Sequence, residues 1–378
     1  MLRWQTETQR ACEAYDWLVV ETRGDDAAGW GCHLVYRGDR WGIAPYRHAL
    51  VERALARPAF ARSIIRPLAS EVLARAAFTA APTTPPPRLA DPPAQLGAIV
   101  RWPSSSLLLG EAGDALYSWD VESGALVDRL PTDGILTDGF SFTQLAIAPP
   151  LVATRDGAYD LAVWHLPSRT KRAVLTGHPS EVGGVAFAGE HIITCCSDRI
   201  LRMWSVERGE LVRKLDVEHP MWWVVRRPQG GLLACGGMIE TMDDGVVVIV
   251  DEALAHVRTI VVSPVARRRD AAVSCLAWHP DGRHLAVGGD QFVRLVDVET
   301  GESVRTWHVH GDLITALAVD ADRVISADLA GVVRISAYDD DVTCFGEYQL
   351  DGKMIEDLVI DGDHIYASSE TGNVYVLP

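Results

Sequence analysis

From about residue 97 onward, apolar positions come in short runs, each followed by a polar cluster rich in Gly and Asp. The stretch from Gly177 to Leu215 shows the pattern most fully. There GGVAF, HIITCC, ILRMWSV and ELVRKL are separated by Ala-Gly-Glu, Ser197-Asp198 and Glu207-Arg208-Gly209. Val, Ile, Thr and Trp suit a pleated surface, and Gly and Asp suit tight turns, so the stretch predicts four strands. Four strands in about 40 residues cannot bury both faces alone, so the unit needs copies of itself on either side.

The copies are present. Aligned on the place of Trp204, near the end of the third strand, the equivalents are Trp119, Trp164, Trp204, Val250, Val296, Ser336 and Leu377, at spacings of 45, 40, 46, 46, 40 and 41. Val-Glu-Xaa-Gly recurs just past the anchor at Val121–Gly124, Val206–Gly209 and Val298–Gly301. The second-strand runs are SLLLG, PLVAT, IITCC, LLACGG, LAVGG, VISA and IYASS, and His279-Pro280-Asp281-Gly282 makes a turn between the first two strands of its unit. Seven units at near-constant period indicate a repeat architecture.

These columns resemble the WD-repeat (WD40) family over residues 97–378. The resemblance rests on Gly177-His178, Asp198 and Trp204 in the third unit and Trp119-Asp120 in the first. It implies a mainly β fold, a seven-bladed β-propeller of four-stranded antiparallel blades. It also implies that His178, Thr194, Asp198 and Trp204 form a hydrogen-bonded structural tetrad. Elsewhere the pattern is degenerate: His310 keeps its place in the sixth unit while Ala330 and Ser336 stand for its Asp and Trp. The fifth unit pairs Asp290 with Val296, and the fourth pairs Asp244 with Val250. The sequence stops after a third strand, so the seventh blade is expected to borrow its outer strand, with Arg88–Ala94 as the nearest candidate. Prolines there suit an edge position.

The start of the chain reads differently. DWLVVET (16–22), GCHLVYR (31–37) and RWGIAP (40–45) look like strands, and two Ala- and Arg-rich segments that follow look helical, the second with Pro67 inside it. Residues 1–80 are therefore read as a small α+β domain, 81–96 as a Pro-rich linker and 97–378 as the propeller. Trp4, Trp17, Trp30 and Trp41 suit core packing better than a contact surface, and the two Arg-Gly-Asp triplets suit turns better than adhesion.

Charge changes the picture of partners. The net charge is −16, and its distribution is uneven: residues 1–95 carry 12 Arg against 10 acidic residues (+2), so the remainder carries −18. Such a body repels phosphate backbones and favours protein partners with basic surfaces, although acidity also serves solubility. No nucleic-acid or membrane role is expected: no apolar run reaches a membrane span, and the first residues lack a signal-peptide core. Seven scattered cysteines fit a reduced, cytoplasmic setting. Three Lys against 32 Arg suggest a bacterial source.

Catalytic motifs are absent: no Walker loop, GxGxxG, HExxH or GxSxG occurs. Cys195-Cys196 point to opposite faces of a strand and suit packing better than a metal. A nucleophile–base pair drawn from Cys12, Asp16, Cys32 and His33 has no motif behind it. His308 and His310 share a face, but His310 is taken by the repeat, and Asp339–Asp341 reads as a solvated loop. No cofactor or metal is expected. Binding candidates are Trp222 and Trp223 at the head of the fourth unit's first strand, against core packing. Arg267, Arg268 and Arg269 in the following link are candidates against a solvated loop, and the Met238–Asp244 turn is a weaker one. The expected function is a non-enzymatic interaction scaffold or adaptor within a multi-component bacterial complex. The alternative places an activity in residues 1–80 under control of the propeller.

Overall fold

The computed structural model describes residues 17–25, 29–36, 39–42, 86–134, 145–239, 244–262, 273–338 and 346–377. By compactness the chain divides into residues 1–83 with 334–347, and residues 84–333 with 348–378. In the first unit Trp17–Asp25, Gly29–Tyr36 and Asp39–Gly42 form a three-stranded antiparallel sheet, Trp17 facing Tyr36 and Tyr36 facing Asp39. The expected helices after residue 45 lie outside the described residues, as do Arg267–Arg269 and Asp339–Asp341.

The repeats build a seven-bladed β-propeller. Blade 1 runs from Ile99 to Pro131, blade 2 from Ala146 to Leu175, blade 3 from Val182 to Asp216 and blade 4 from Met221 to Val262, each with four sequential antiparallel strands. Blades 5 and 6 form one seven-stranded sheet, because the strand Ser303–Val319 is shared. Its first part pairs with Asp290–Asp297 as the outer strand of blade 5, and its second part pairs with Arg323–Asp328 as the inner strand of blade 6. Blade 7 holds Ile355–Asp361, His364–Ser369 and Val374–Leu377.

The anchor column has a backbone cause. Where the third strand pairs with the fourth, the register shifts at Ser118/Trp119, Val163/Trp164, Met203/Trp204, Ile249/Val250 and Leu295/Val296. A β-bulge at one place per blade re-aims the next residue and sharpens the twist. The column tolerates Trp or Val because the bulge is constant and the inward side chain need only be apolar: Trp119, Trp204, Val250 and Val296 are all buried. Past the anchor, Gly124, Gly209 and Gly301 take positive φ (70°, 67° and 80°), and each N–H donates back to the carbonyl of Asp120, Ser205 or Asp297. Gly is needed there because other residues are strained at such φ.

The core lies between blades. Side chains of blades 3 and 4 meet around Ile193, Cys195, Leu233 and Val248, and those of blades 4 and 5 around Val247, Ile249, Leu285 and Val287. Gly183 and Gly184 let two inner strands approach: a Cβ on Gly184 would stand 2.6 Å from the Val224 nitrogen. Ring closure uses the Pro-rich segment. Arg88 forms an antiparallel bridge with Tyr375, the Leu89 N–H donates to the Val374 carbonyl at 3.0 Å, and the Val376 N–H donates to the Pro87 carbonyl at 2.9 Å. Leu89 drops into the seam of blades 7 and 1 beside Leu96, Trp119, Tyr366 and Val374. The Trp119 indole N–H donates to the Ala90 carbonyl at 2.8 Å, so the same segment that edges blade 7 is fastened to blade 1.

Candidate interaction face and the polar networks behind it

Because strands alternate in direction, each blade's second-to-third turn and the links between blades open on one face of the ring. The first-to-second and third-to-fourth turns open on the other. On the link face, strand ends around the axis bring charged groups together. Arg155, at the end of a second strand, has an Nη1 2.8 Å from Glu181 Oε1 at the head of blade 3, and its backbone N–H donates to Glu111 Oε1 at 2.6 Å. Arg155 and Glu111 are almost wholly buried, while the Glu181 side chain is about one third exposed. Burial raises the Glu111 pKa, and the charge and backbone of Arg155 counter it.

Blade 7 adds two more carboxyls to this rim. Burial lifts Glu356 to about 8, with the charges of Glu370 and Asp357 acting the same way and Arg155 opposing. Burial lifts Asp357 to about 7, although it accepts backbone hydrogen bonds from Ile99 (3.0 Å) and Leu358 (2.8 Å). Trp222 is half-buried, with its backbone against Gly183, two residues past Glu181. Trp223 turns instead toward the core of blades 4 and 5, its indole nitrogen buried without a hydrogen-bond partner among the described residues.

The four repeat residues of blade 3 do not form one network. Thr194 Oγ1 is 2.9 Å from both His178 Nε2 and Trp204 Nε1, and all three side chains are buried. Asp198 instead binds Arg202, with Nη1 at 3.1 Å from Oδ1 and Nη2 on Oδ2, and accepts from Cys196 Sγ at 2.8 Å. His178 Nδ1 is buried with no hydrogen-bond partner of good geometry among the described residues. Burial holds the His178 pKa down at about 4, helped by the charge of Arg202 and opposed by Asp198. Burial alone would raise Asp198, but hydrogen bonds from Arg202 and Cys196 hold it below the usual carboxylate range.

Blade 6 carries a fuller network that the repeat alignment misplaces. His310 Nε2 is 2.7 Å from Ser326 Oγ, and Nδ1 is 2.8 Å from Asp328 Oδ2. The carboxylate comes from Asp328 rather than from the place of Ala330, two residues after the hydroxyl instead of four. These are the contacts of a hydrolytic serine triad, but Ser326 is 1% exposed, so no substrate carbonyl reaches its Oγ. Blade 2 keeps half of the pattern, with Trp164 Nε1 donating to Thr154 Oγ1 at 3.2 Å.

The described thiols are buried ones. Cys195, Cys235 and Cys275 are buried; burial drives Cys195 far up and the other two to about 12, away from thiolate reactivity. On the other face, the inner strands of blades 2, 3 and 4 border a cavity of about 590 Å³ lined by Ala146, Ala148, Val185, Phe187, Val225 and Arg227 among others. Among the described residues no helix is long and apolar enough to cross a membrane.

A closed ring of bulged four-stranded blades, fastened by a leading segment, is a β-propeller of the repeat type. A family model described as WD domain, G-beta repeat, matches residues 169–205, and one described as anaphase-promoting complex subunit 4 WD40 domain matches residues 239–322. Both matched segments are WD-repeat sequence and lie within the propeller. It is 22% identical over 172 residues to eukaryotic translation initiation factor 3 subunit I of Lodderomyces elongisporus, covering 40% of this chain and 45% of that protein. It is 26% identical to mitochondrial division protein 1 of Candida glabrata, covering 40% of this chain and 17% of that protein. It is 25% identical to echinoderm microtubule-associated protein-like 2 of Mus musculus, covering 45% of this chain and 26% of that protein. Each match spans less than half of the relative's length.

Proposed function

We propose that the protein is a non-enzymatic interaction scaffold, one component of a larger bacterial assembly, whose contact surface is the link face of the ring around the channel mouth. The observation that carries this reading is the rim of Glu111, Glu181, Glu356, Asp357 and Glu370, five carboxyls among the described residues with Arg155 and the more exposed Lys353 as counter-charges, and with the Trp222 backbone against Gly183, two residues past Glu181. Carboxyls pressed together in a concave, partly dry setting are relieved by an incoming cation, so a basic protein segment is the partner chemistry that fits. A half-buried Trp next to such a rim supplies the apolar anchor that protein contacts favour.

The experiment is capture of partners by the full-length protein carrying Glu181→Arg or Trp222→Ala, with Asp322→Arg on the opposite face as control. Circular dichroism and thermal melting confirm the fold of each variant. The expected result is loss of the partner on the first two and retention on the control. A partner retained by both link-face variants and lost on Asp322→Arg moves the contact surface to the other face.

A further inference from the structure

We propose that the first turn of blade 5, His279 to His284, is a binding site for a divalent transition metal of the zinc, cobalt or nickel kind. The turn brings three ligand atoms to one point: His279 Nδ1 is 3.0 Å and His284 Nδ1 is 2.6 Å from Asp281 Oδ2, and all three lie within 4.8 Å of one another. The spacing His-Xaa-Asp-Xaa-Xaa-His does this because Gly282 takes φ +69°, folding the backbone back so that residues 279 and 284 stand side by side.

The carboxylate is preset. Its Oδ1 accepts from the backbone N–H groups of Arg283 (2.8 Å) and His284 (3.0 Å), which leaves Oδ2 as the atom that both imidazoles address. His279 is also oriented: its Nδ1 accepts from the Asp281 N–H at 3.2 Å, and its Nε2 points to the Ala321 carbonyl of blade 6 at 3.5 Å. That orientation holds Nδ1 3.0 Å from the carboxylate oxygen, and a cation bound between them would take the Nδ1 lone pair over from the Asp281 N–H. The one strong positive charge in the turn, Arg283, is engaged by Asp297 at 2.8 and 2.6 Å and so opposes a metal less.

Two imidazoles and one carboxylate are a borderline-soft donor set, suited to zinc, cobalt or nickel and poorly suited to calcium or magnesium. Three protein ligands leave the remaining positions to water. The site is on the face opposite the acidic rim, so the proposal stands apart from the interaction surface.

Cobalt(II) is the probe, titrated into tag-free full-length protein and followed by its visible absorption. The wild type should bind one equivalent with the bands of nitrogen–oxygen coordination. His284→Asn, whose side chain is partly exposed, should keep the fold by circular dichroism and weaken binding at least tenfold, the scale on which site perturbations act. Asp281→Asn should weaken it likewise. Equal binding by wild type and His284→Asn, or no cobalt spectrum in the wild type, overturns the proposal.

Discussion

Arg88 and Tyr375 face each other as an antiparallel pair across the ring's closing seam, the guanidinium carbon 4.9 Å from the ring centroid. Arg88 is exposed, so its contact with the buried Tyr375 ring is of small worth, whereas the buried Leu89 carries the seam. Leu89→Ala should destabilise the propeller by about 2–4 kcal/mol, the range for a truncated core leucine, while Arg88→Ala should stay within about 0.5 kcal/mol. Denaturant unfolding of both variants decides it. Equal effects would mean that the seam does not rest on burial.

Thr194 serves two buried nitrogens at once, so it is the member of its network whose loss leaves most unsatisfied. Thr194→Val should lower stability by about 2–3 kcal/mol and His178→Ala by about 1–3 kcal/mol, with the channel-mouth chemistry untouched in both. The pH dependence has a definite sign. With its folded pKa near 4 and an unfolded value near 6.5, His178 stays neutral in the native state while the unfolded chain takes up a proton. Its contribution is complete above about pH 6.5 and is lost as pH falls toward 4. A thermal-melting series over that range should therefore be flatter for His178→Ala than for the wild type.

Arg155 and Glu111 are buried partners from neighbouring blades. Removing only the cation leaves a carboxylate with no counter-charge, so Arg155→Met should cost about 3–5 kcal/mol. Combining it with Glu111→Gln should recover a large part of that loss. A double-mutant cycle in urea measures the coupling, and strict additivity would show that the two charges do not sense each other.

Asp357 works in the opposite direction from His178. Its folded pKa near 7 lies above the unfolded value of about 3.9, so the native state holds the proton more tightly and stability falls as pH rises from about 4 to 7. Asp357→Asn keeps an acceptor for the Ile99 N–H and removes the charge. It should raise the melting temperature at pH 8 and change it little at pH 4, and a uniform shift at both would rule out the linkage.

Much of this fold is legible from periodicity, and the anchor column explains why. Val250 and Val296 align with Trp204 because all three follow a bulge, a backbone constraint that asks only for an apolar side chain. The polar networks are less legible. Asp328 is missed because a carboxylate two residues after the hydroxyl reaches His310 as well as a turn residue would, while Asp198, correctly spaced, is drawn off by Arg202. The Arg155–Glu111–Glu181 cluster joins three blades at the axis. Nothing in a single repeat's spacing records which side chains converge there. Asp328 could have been found by asking which acid follows each second-strand Ser or Thr at any short distance.

The strand Ser303–Val319 leaves one blade and enters the next without a loop between them. Elsewhere blades are separate sheets joined by links, and such joints are where a ring can breathe. Here a single run of strand is shared: it pairs with blade 5 as far as His308 and with blade 6 from Ile314, Leu313 facing Asp290 between them. Bending at this joint is confined to residues 309–312, so blades 5 and 6 should move together more than blades joined by longer links, and more of the ring's compliance should fall on its other seams, including the clasp at Tyr375.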